Sequence, residues 1–263
     1  MLIAQISDLH VNAPGAEGPA GTDAIAAAEA AVAFIGRMDP APDVILATGD
    51  LAAVSGSAEE YGALRAAVAP LRQQVYFIPG NHDDRDGLRR AFPDHHYLPA
   101  SGYLHYAIDD WPVRLVGLDT VIPGEPGGIM DQERLDWLDA CLSERPDTPT
   151  VLFMHHPPFQ SGIRAMDDMR CRNGGAMEAL VSRHRQILRI LCGHVHRPIQ
   201  RLWGGTLAMI APSSVVQLSL SLGDEAKPGY IHEPPALLLH DWDGGALTSH
   251  VVAVGDFQGT GAG

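Results

Sequence analysis

Short apolar segments alternate with stretches of helical periodicity over most of the chain. The apolar segments are residues 2–6, 44–47, 75–78, 114–118, 151–154 and 187–192. The stretches between them, in which apolar residues recur at helical spacing, are residues 22–38, 58–68, 132–143 and 176–184. Ser57 with Glu60 three residues later forms a capping-box pattern, which predicts the start of the second helix. This alternation is typical of β-α-β units that build a sheet covered by helices.

The helical periodicity stops after Gly204, and strand-like segments follow it. They are residues 206–210, 215–220, 236–242 and 246–254. Asp243-Gly244-Gly245 predicts a hairpin turn between the last two. We therefore predict an α/β fold with a mixed two-sheet core and helices outside.

The same change of pattern predicts the domain organisation. Residues 1–204 are expected to form the core that carries every functional residue. Residues 205–254 are expected to add strands that complete the second sheet, and they are also a candidate oligomerisation element. Residues 255–263 are expected to form a flexible tail.

Polar residues follow five of the apolar segments at the point where each segment ends. The sequences there are Ser7-Asp8-Leu9-His10, Thr48-Gly49-Asp50, Pro79-Gly80-Asn81-His82-Asp83, His155-His156-Pro157-Pro158 and Gly193-His194-Val195-His196. Ligands of α/β sheets bind outside the carboxyl ends of the strands, so we expect these five ends to converge on one site. The chain also has 13 His among its 263 residues, and His is the commonest metal ligand.

Two of these ends carry pairs of candidate metal ligands. Because residues two apart on an extended segment project to the same side, Asp8 with His10 and His194 with His196 can each bind an ion. Carboxylate and imidazole together suit Zn, Mn, Fe or Co, and the absence of Cys from the set argues against a structural zinc site. The candidate ligands are too many for one open catalytic ion and about right for two. They are Asp8, His10, Asp50, Asn81, His155, His194 and His196.

The five blocks, in this order, resemble those of the calcineurin-like metallophosphoesterase superfamily. The blocks are Asp8-x-His10, Gly49-Asp50, Gly80-Asn81-His82-Asp83, His155-His156-Pro157 and Gly193-His194-x-His196. Within the superfamily the chain is most similar to bacterial class III cyclic-nucleotide phosphodiesterases and glycerophosphodiesterases, since Met166-Asp167 and residues 170–173 also look like that subgroup. The resemblance implies a four-layer αββα sandwich, in agreement with the two-sheet core predicted above.

The resemblance also implies a division of the ligands between two ions that share Asp50. One ion would be bound by Asp8, His10, Asp50 and His196, and the other by Asp50, Asn81, His155 and His194. Two ions about 3.5 to 4 Å apart stabilise the attacking and leaving oxygens of a phosphoryl displacement. The expected nucleophile is a hydroxide that bridges them.

Further roles follow for residues at the substrate. Neighbours on an extended strand point apart, so if Asn81 is a ligand, His82 is better placed to protonate the leaving alkoxide or to hold the phosphate. We therefore expect Asp50 and His82 to be catalytic, and Asn81 and His82 to bind substrate. His156 is either a third substrate-binding residue or a structural one, and Asp83 either caps its turn or orients His82.

The predicted activity is hydrolysis of a small phosphodiester, such as a cyclic nucleotide or a glycerophosphodiester. Alternatives are a broad-specificity phosphomonoesterase on the same site and a non-catalytic scaffold of the same fold. The scaffold is disfavoured because all seven ligands and His82 are retained. Residues 162–173 are expected to form a lid that contacts the organic arm of the ester. A monoester dianion usually needs added cations, and the candidates near the blocks are Arg85, Arg164, Arg170, Arg172 and Arg197.

Composition restricts the partners and the location. The 18 basic and 32 acidic residues give a net charge of −14, which disfavours a nucleic-acid polymer because such binding requires clustered Lys and Arg. The chain lacks a run of about 18 apolar residues that would span a membrane, and its first residues lack the pattern of a signal peptide. Cys141, Cys171 and Cys192 have unrelated spacings, which argues for a reducing compartment. We expect a cytoplasmic enzyme without a membrane partner that forms a homodimer or a larger homo-oligomer.

Overall fold

The computed structural model describes residues 1–223 and 228–257, and helices are interspersed among the strands of the first 192 residues. The strands are β1 (Leu2–Ile6), β2 (Val44–Thr48), β3 (Gln74–Ile78), β4 (Tyr106–Ile108), β5 (Arg114–Leu118), β6 (Thr150–Met154), β7 (Ile187–Cys192), β8 (Ile199–Trp203), β9 (Thr206–Ile210), β10 (Gln217–Leu218), β11 (Tyr230–Ile231), β12 (Ala236–Trp242) and β13 (Leu247–Ala253). The helices are α1 (Ala24–Gly36), α2 (Ala58–Val68), α3 (Arg85–Ala91), α4 (Gln132–Glu144), α5 (Arg164–Asp167) and α6 (Gly174–Val181). None of the described helices is both long enough and apolar enough to cross a bilayer.

Two mixed sheets form the centre of the fold. One has the strand order β13-β12-β1-β2-β3, in which β1, β2 and β3 are parallel. The other has the order β4-β5-β6-β7-β9-β8, in which β5, β6, β7 and β9 are parallel. The outer strands β12, β13, β4 and β8 run antiparallel to their neighbours. The short strands β10 and β11 pair separately from both sheets.

Both faces of the central strands of each sheet are buried, and alternate residues of these strands therefore belong to different packing clusters. Leu46 of the first sheet packs with Val151 and Phe153 of the second in the cluster between the sheets. The other face of the first sheet packs on α1, α2 and α3, and that of the second on α4 and α6. The order of layers is helix, sheet, sheet, helix, which confirms the predicted four-layer αββα sandwich.

Local sequence signals are confirmed where the contacts are short in sequence. The hydroxyl of Ser57 accepts from the Glu60 N–H at 3.2 Å, and the Glu60 carboxylate accepts from the Ser57 N–H at 2.8 Å, which completes the capping box. Asp243 Oδ1 accepts from the N–H groups of Gly245 and Ala246, both at 2.8 Å, in the predicted hairpin turn. The sequence analysis did not predict the strands β4 and β8. The strand β4 is only three residues long, and three of the five residues of β8 are exposed, so neither has a recognisable apolar run. The helices α3 and α5 were also missed, and the strand predicted over residues 215–220 is reduced to β10.

The C-terminal strands differ from the prediction in their sheet membership. Only β9 joins the second sheet as expected, and the prediction is wrong for β12 and β13, which extend the first sheet beside β1. The strand β12 is apolar on both faces, with Leu237 in the helix-facing cluster and Leu238 in the cluster between the sheets, so its composition fits either sheet and the pairing with β1 decides its place. Pairing with β1 also satisfies backbone groups that an edge strand would expose. Residues 258–263 of the predicted tail lie outside the described residues.

Candidate metal centre

The side chains that follow β1, β2, β3, β6 and β7 meet at one place. Four overlapping groups of side chains bring candidate ligand atoms within 4.8 Å of one another. The groups are Asp8, His10 and His196; His10, Asp50 and His82; Asp8, Asp50 and His155; and His155, His156 and His194. Asn81 lines the same cavity as His10, Asp50 and His82. All the residues that we predicted as ligands thus lie in or beside one continuous cluster.

The backbone at this cluster adopts an uncommon conformation. Five predicted ligands have left-handed φ values between 43° and 73°, and they are Asp8, His10, Asp50, His194 and His196. Residues other than glycine rarely adopt this region, which costs about 1 to 3 kcal/mol each. The surrounding structure enforces it, because the N–H groups of Asp8 and His10 donate to the carbonyls of Gly49 and Asp50 at 3.1 and 2.9 Å. The chain therefore turns sharply at the strand ends and is held in that shape across β1 and β2.

Two glycines permit close approach to the cluster. A Cβ at Gly80 would overlap the carboxylate of Asp50, and a Cβ at Gly193 would lie 2.9 Å from Asp8 Oδ2. Real Cβ atoms essentially never come so close to another heavy atom. These two positions therefore require glycine for space beside the ligand carboxylates.

Hydrogen bonds to backbone carbonyls orient two of the imidazoles. The Nδ1 atoms of His155 and His196 lie 2.8 and 2.7 Å from the carbonyls of Thr48 and Val216. Because a carbonyl can only accept, each Nδ1 carries a proton, which leaves Nε2 as the ring atom that can bind a cation. This is the usual arrangement of metal-binding His. The His196 Nε2 lies 3.0 Å from His10 Nε2, so both rings point at the same position.

Several buried polar atoms at the cluster have no hydrogen-bond partner in the described part of the chain. They include Asn81 Oδ1, His155 Nε2 and His194 Nε2. Buried polar groups are normally paired because an unpaired one costs about 1 to 3 kcal/mol. All three are oxygen or nitrogen atoms that can offer a lone pair, His155 Nε2 after loss of a proton, so the residues present fit bound cations.

The carboxylates of the cluster are held in their charged form. Burial would raise the pKa of Asp8, but the adjacent imidazole of His196 outweighs it and lowers the pKa to about 2. Burial likewise opposes ionisation of Asp50, but His155 and the other nearby imidazoles hold its pKa well below the usual value. Both carboxylates are therefore ionised at neutral pH, as metal binding requires.

The imidazoles divide into two kinds. Burial lowers the pKa of His10 to about 4 and that of His194 to about 3, so both are neutral and ready to bind a cation. Burial also disfavours the charged form of His155, but the carboxylate of Asp50 outweighs it and raises the pKa to about 9. A cation bound at His155 would therefore displace a proton.

A cavity of about 520 Å³ opens directly onto the cluster. His82 stands at its wall with 38% of its side chain exposed, and its Nε2 lies 4.0 Å from Asp50 Oδ2. The His82 N–H donates to Asp50 Oδ1 at 3.0 Å, so the backbone that carries the ring is fixed to Asp50. The ring can therefore reach a molecule in the cavity while its position relative to the cluster is maintained.

The sequence profile of the family described as calcineurin-like phosphoesterase matches residues 1–198. The chain belongs to this family. This phosphoesterase is 35% identical over 261 residues to the probable glycerophosphodiester phosphodiesterase GpdQ of Arcobacter nitrofigilis, a match that covers 98% of this chain and 95% of the relative. It is 30% identical over 215 residues to the 3′,5′-cyclic adenosine monophosphate phosphodiesterase CpdA of Escherichia coli, with 82% and 76% covered. A solved structure of a dimetal phosphatase from Danio rerio has the same fold, with a TM-score of 0.65 at 13% identity over 97% of this chain and 99% of the other.

His156 of the phosphoesterase lies beneath the cavity. Its Nε2 donates to the Pro126 carbonyl at 3.2 Å, so its Nδ1 accepts from the Thr120 hydroxyl at 2.7 Å. The ring is fully buried and packs against the rings of His155 and His194 at 4.8 and 4.7 Å between centroids. Because both ring nitrogens already have hydrogen-bond partners, we interpret His156 as a structural residue and not as one that contacts substrate.

Asp83 joins the ends of two strands. Its carboxylate accepts from the N–H groups of Gly80, Leu51 and Ala52 at 2.8, 3.1 and 3.0 Å. Asp83 therefore caps its own turn, the first of the two alternatives, and also fixes the loop after β2. This second contact could not be read from the local sequence.

Asp119 is a buried residue that the sequence interpretation missed. It follows β5, and Arg85 donates to both of its carboxylate oxygens at 2.6 and 2.8 Å. Since Arg85 begins the helix after Asn81 and His82, the pair ties that loop to the end of β5. The sequence contains a signal that could have identified Asp119, because Asp119-Thr120 follows an apolar strand in the same way as the five blocks do.

Proposed function

We propose that this phosphoesterase hydrolyses a small phosphodiester with two metal ions bound at the cluster. One ion would be held by Asp8, His10, Asp50 and His196, and the other by Asp50, Asn81, His155 and His194. The names of the relatives support a diester as substrate, since two of them are called phosphodiesterases. The unpartnered lone pairs and the ionised carboxylates support the ligand set.

The observation that carries this proposal is the position of Asp50. Its Oδ2 lies 3.3 Å from His155 Nε2 and 3.8 Å from His10 Nε2, so the carboxylate stands between the two groups of imidazoles. A carboxylate has two oxygens and can serve two cations at once. Asp50 is therefore the residue that can join the two ion sites.

Imidazole and carboxylate donors suit Fe, Mn, Zn or Co. Two such ions would neutralise charge on the phosphoryl oxygens and lower the pKa of a bound water. The chain's own residues supply the remaining functions. His82 is placed to give a proton to the leaving alkoxide, and the amide of Asn81 can orient a phosphoryl oxygen.

The charges around the cavity favour a diester over a monoester. Its described lining residues include neither Lys nor Arg. The nearby arginines are engaged elsewhere, since Arg85 pairs with Asp119, Arg172 with Glu125 and Arg197 with Glu233. A monoester dianion carries one more charge than a diester and would find no additional cation among the described lining residues.

The diester preference can be tested by adding the missing charge. Met169 lies on the predicted lid and lines the cavity. We expect the wild-type enzyme to hydrolyse phenyl p-nitrophenyl phosphate with a higher kcat/KM than p-nitrophenyl phosphate. Met169→Arg should raise the monoester to diester ratio about tenfold, which corresponds to one charged hydrogen bond. Met169→Leu is the matched control.

Release of p-nitrophenolate measures both substrates. An equal or higher kcat/KM for the monoester in the wild-type enzyme would contradict the diesterase proposal and favour the phosphomonoesterase. Shortening the lid is a poorer test, because Ile163 and Cys171 at its ends belong to the core.

The predicted homo-oligomer and the cytoplasmic location stay predictions. We expect light scattering at micromolar concentration to give a mass of at least twice the 28.1 kDa of one chain. A mass of one chain would contradict the expected assembly.

A further inference from the structure

Part of the cavity wall is apolar. The side chains of this apolar wall include Pro126, Met166, Met169, Leu218 and Tyr230, whereas the polar part of the lining carries imidazoles, a carboxylate and an amide. A phosphodiester held with its phosphate at the polar wall would extend an ester arm toward the apolar one. The apolar wall is therefore the part of the site that can distinguish one diester from another.

Tyr230 is the aromatic residue of this wall. It is 46% exposed, so part of its ring is accessible to solvent. Its ring centroid lies 6.0 Å from that of His196, with 48° between the ring planes. The ring thus stands beside a predicted metal-binding side chain and lines the cavity.

The position of Tyr230 is fixed relative to His196 by hydrogen bonds. Tyr230 pairs with Leu218 across β10 and β11, and the Leu218 N–H donates to the carbonyl of His196 at 3.4 Å. The carbonyl of Val216, in the same segment, accepts from His196 Nδ1 at 2.7 Å. The segment that orients a predicted metal ligand therefore also places the aromatic ring, and little ordering is needed when a substrate arrives.

We propose that Tyr230 contacts the organic arm of the substrate with its ring face and selects diesters whose arm is planar and apolar, such as an aryl or nucleobase-like group, over a hydroxylated arm such as glycerol. This inference rests on the proposed diesterase function. A planar arm would bury apolar area against Tyr230, Met166 and Met169, and thioether sulfurs pack favourably against aromatic rings. The hydroxyls of glycerol would lose water at Pro126, Leu218 and the methionines without gaining hydrogen bonds there.

Two diesters with the same leaving group test this inference. Benzyl trifluoroethyl phosphate and glyceryl trifluoroethyl phosphate both release trifluoroethanol, which ¹⁹F NMR detects, and they differ only in the remaining arm. We expect the wild-type enzyme to have the higher kcat/KM for the benzyl ester. Tyr230→Ala should lower the value for the benzyl ester about tenfold, mainly through KM, and change that for the glyceryl ester less than twofold.

Two further variants separate stacking from other causes. Tyr230→Phe keeps the ring and should keep the benzyl preference. Leu202→Ala removes a side chain that is 82% exposed on β8 and should leave kcat/KM unchanged for both esters. Elemental analysis should find the same metal content in all variants, which separates substrate recognition from an effect on His196.

The possible failures are distinguishable. A wild-type preference for the glyceryl ester, or an equal loss on both esters in Tyr230→Ala, would overturn the role of Tyr230 and leave the diesterase function standing. If Tyr230→Phe loses the preference for the benzyl ester, the hydroxyl and not the ring face recognises the substrate. That result would also overturn the proposed role of the Tyr230 ring. Hydrolysis of trifluoroethyl phosphate but of neither diester would overturn the proposed function and this inference with it.

Discussion

We expect Asp50→Ala to lose bound metal from both predicted ion sites and most of the activity. The reason is the position of the carboxylate between His10 and His155, which makes Asp50 the residue that both ions would share. Charge neutralisation by metal ions is worth several kcal/mol in the transition state, and about 1.4 kcal/mol corresponds to a factor of ten. We therefore expect kcat/KM for a diester to fall about 10³-fold or more.

Elemental analysis after equilibrium dialysis against the metal measures the occupancy directly. The wild-type chain should bind two ions per chain at saturation, and Asp50→Ala should bind less than one. Asp50→Asn keeps an acceptor for the His82 N–H but removes the charge, so it separates the ion-binding role from the structural one. Asp94→Ala removes a carboxylate that is 84% exposed and should bind two ions as the wild type does.

Two outcomes would contradict the dinuclear proposal. One is a single bound ion in the saturated wild-type protein, and the other is full activity after exhaustive chelation. If Asp50→Ala retains both ions, the dinuclear proposal stands, but Asp50 is not the ligand that the two ions share.

His82→Ala is expected to keep both ions and to lose most of its turnover. The His82 ring reaches into the cavity, and its Nε2 is 4.0 Å from Asp50 Oδ2, which is too far for a hydrogen bond. Loss of a positioned general acid costs about 10² to 10⁴ in rate. We therefore expect kcat to fall by that factor on a diester with a poor alkoxide leaving group.

The size of the loss in His82→Ala with different leaving groups tests whether His82 acts as a general acid. A p-nitrophenolate leaving group needs little protonation, so the loss in His82→Ala should be smaller with that substrate than with a simple alkyl ester. An equal loss with both substrates would contradict proton donation and favour binding of the phosphate. His96→Ala, which changes an exposed His in the loop after α3, is the control for general effects of losing an imidazole.

The metal content of the same variant decides a second question. The His82 ring also lies within 4.8 Å of ligand atoms of His10 and Asp50, in one of the groups that could hold an ion. If His82→Ala binds only one ion, His82 is a ligand and its assignment as a substrate residue is wrong.

Much of the architecture could be predicted because the signals are local. Ser57 and Glu60 are three residues apart, and the strands β1, β2 and β6 are recognisable as short apolar runs bounded by turns. The polar residues after those strands share one edge of a sheet, because the carboxyl ends of parallel strands lie on the same side. Gathering of the candidate ligands at one place therefore follows from the order of residues along the chain.

Other features depend on segments that are distant in sequence. The strand β12 could not be assigned to its sheet, since its apolar residues fit either one and only pairing with β1 decides between them. The place of His156 in the sequence, next to a predicted ligand, suggests a contact with substrate. Both of its ring nitrogens are instead hydrogen-bonded, to the Thr120 hydroxyl and the Pro126 carbonyl. The neighbours of a side chain on another segment are set by how the layers pack, and periodicity carries no information about them.

Periodicity, residue type and net charge were enough to predict a two-sheet core covered by helices, the cluster of candidate ligands and the lack of a basic groove, and the family resemblance implied the four-layer sandwich. Which backbone positions are left-handed, which imidazole nitrogens carry protons and which apolar side chains line the cavity depend on contacts that form only in the folded chain. Tyr230 shows the difference most clearly, since it lies 34 positions after His196 in a segment without a motif. It stands beside His196 because β10 and β11 pair and their backbone is hydrogen-bonded to that residue. That proximity arises from hydrogen bonds between segments that are distant in sequence, about which local periodicity carries no information.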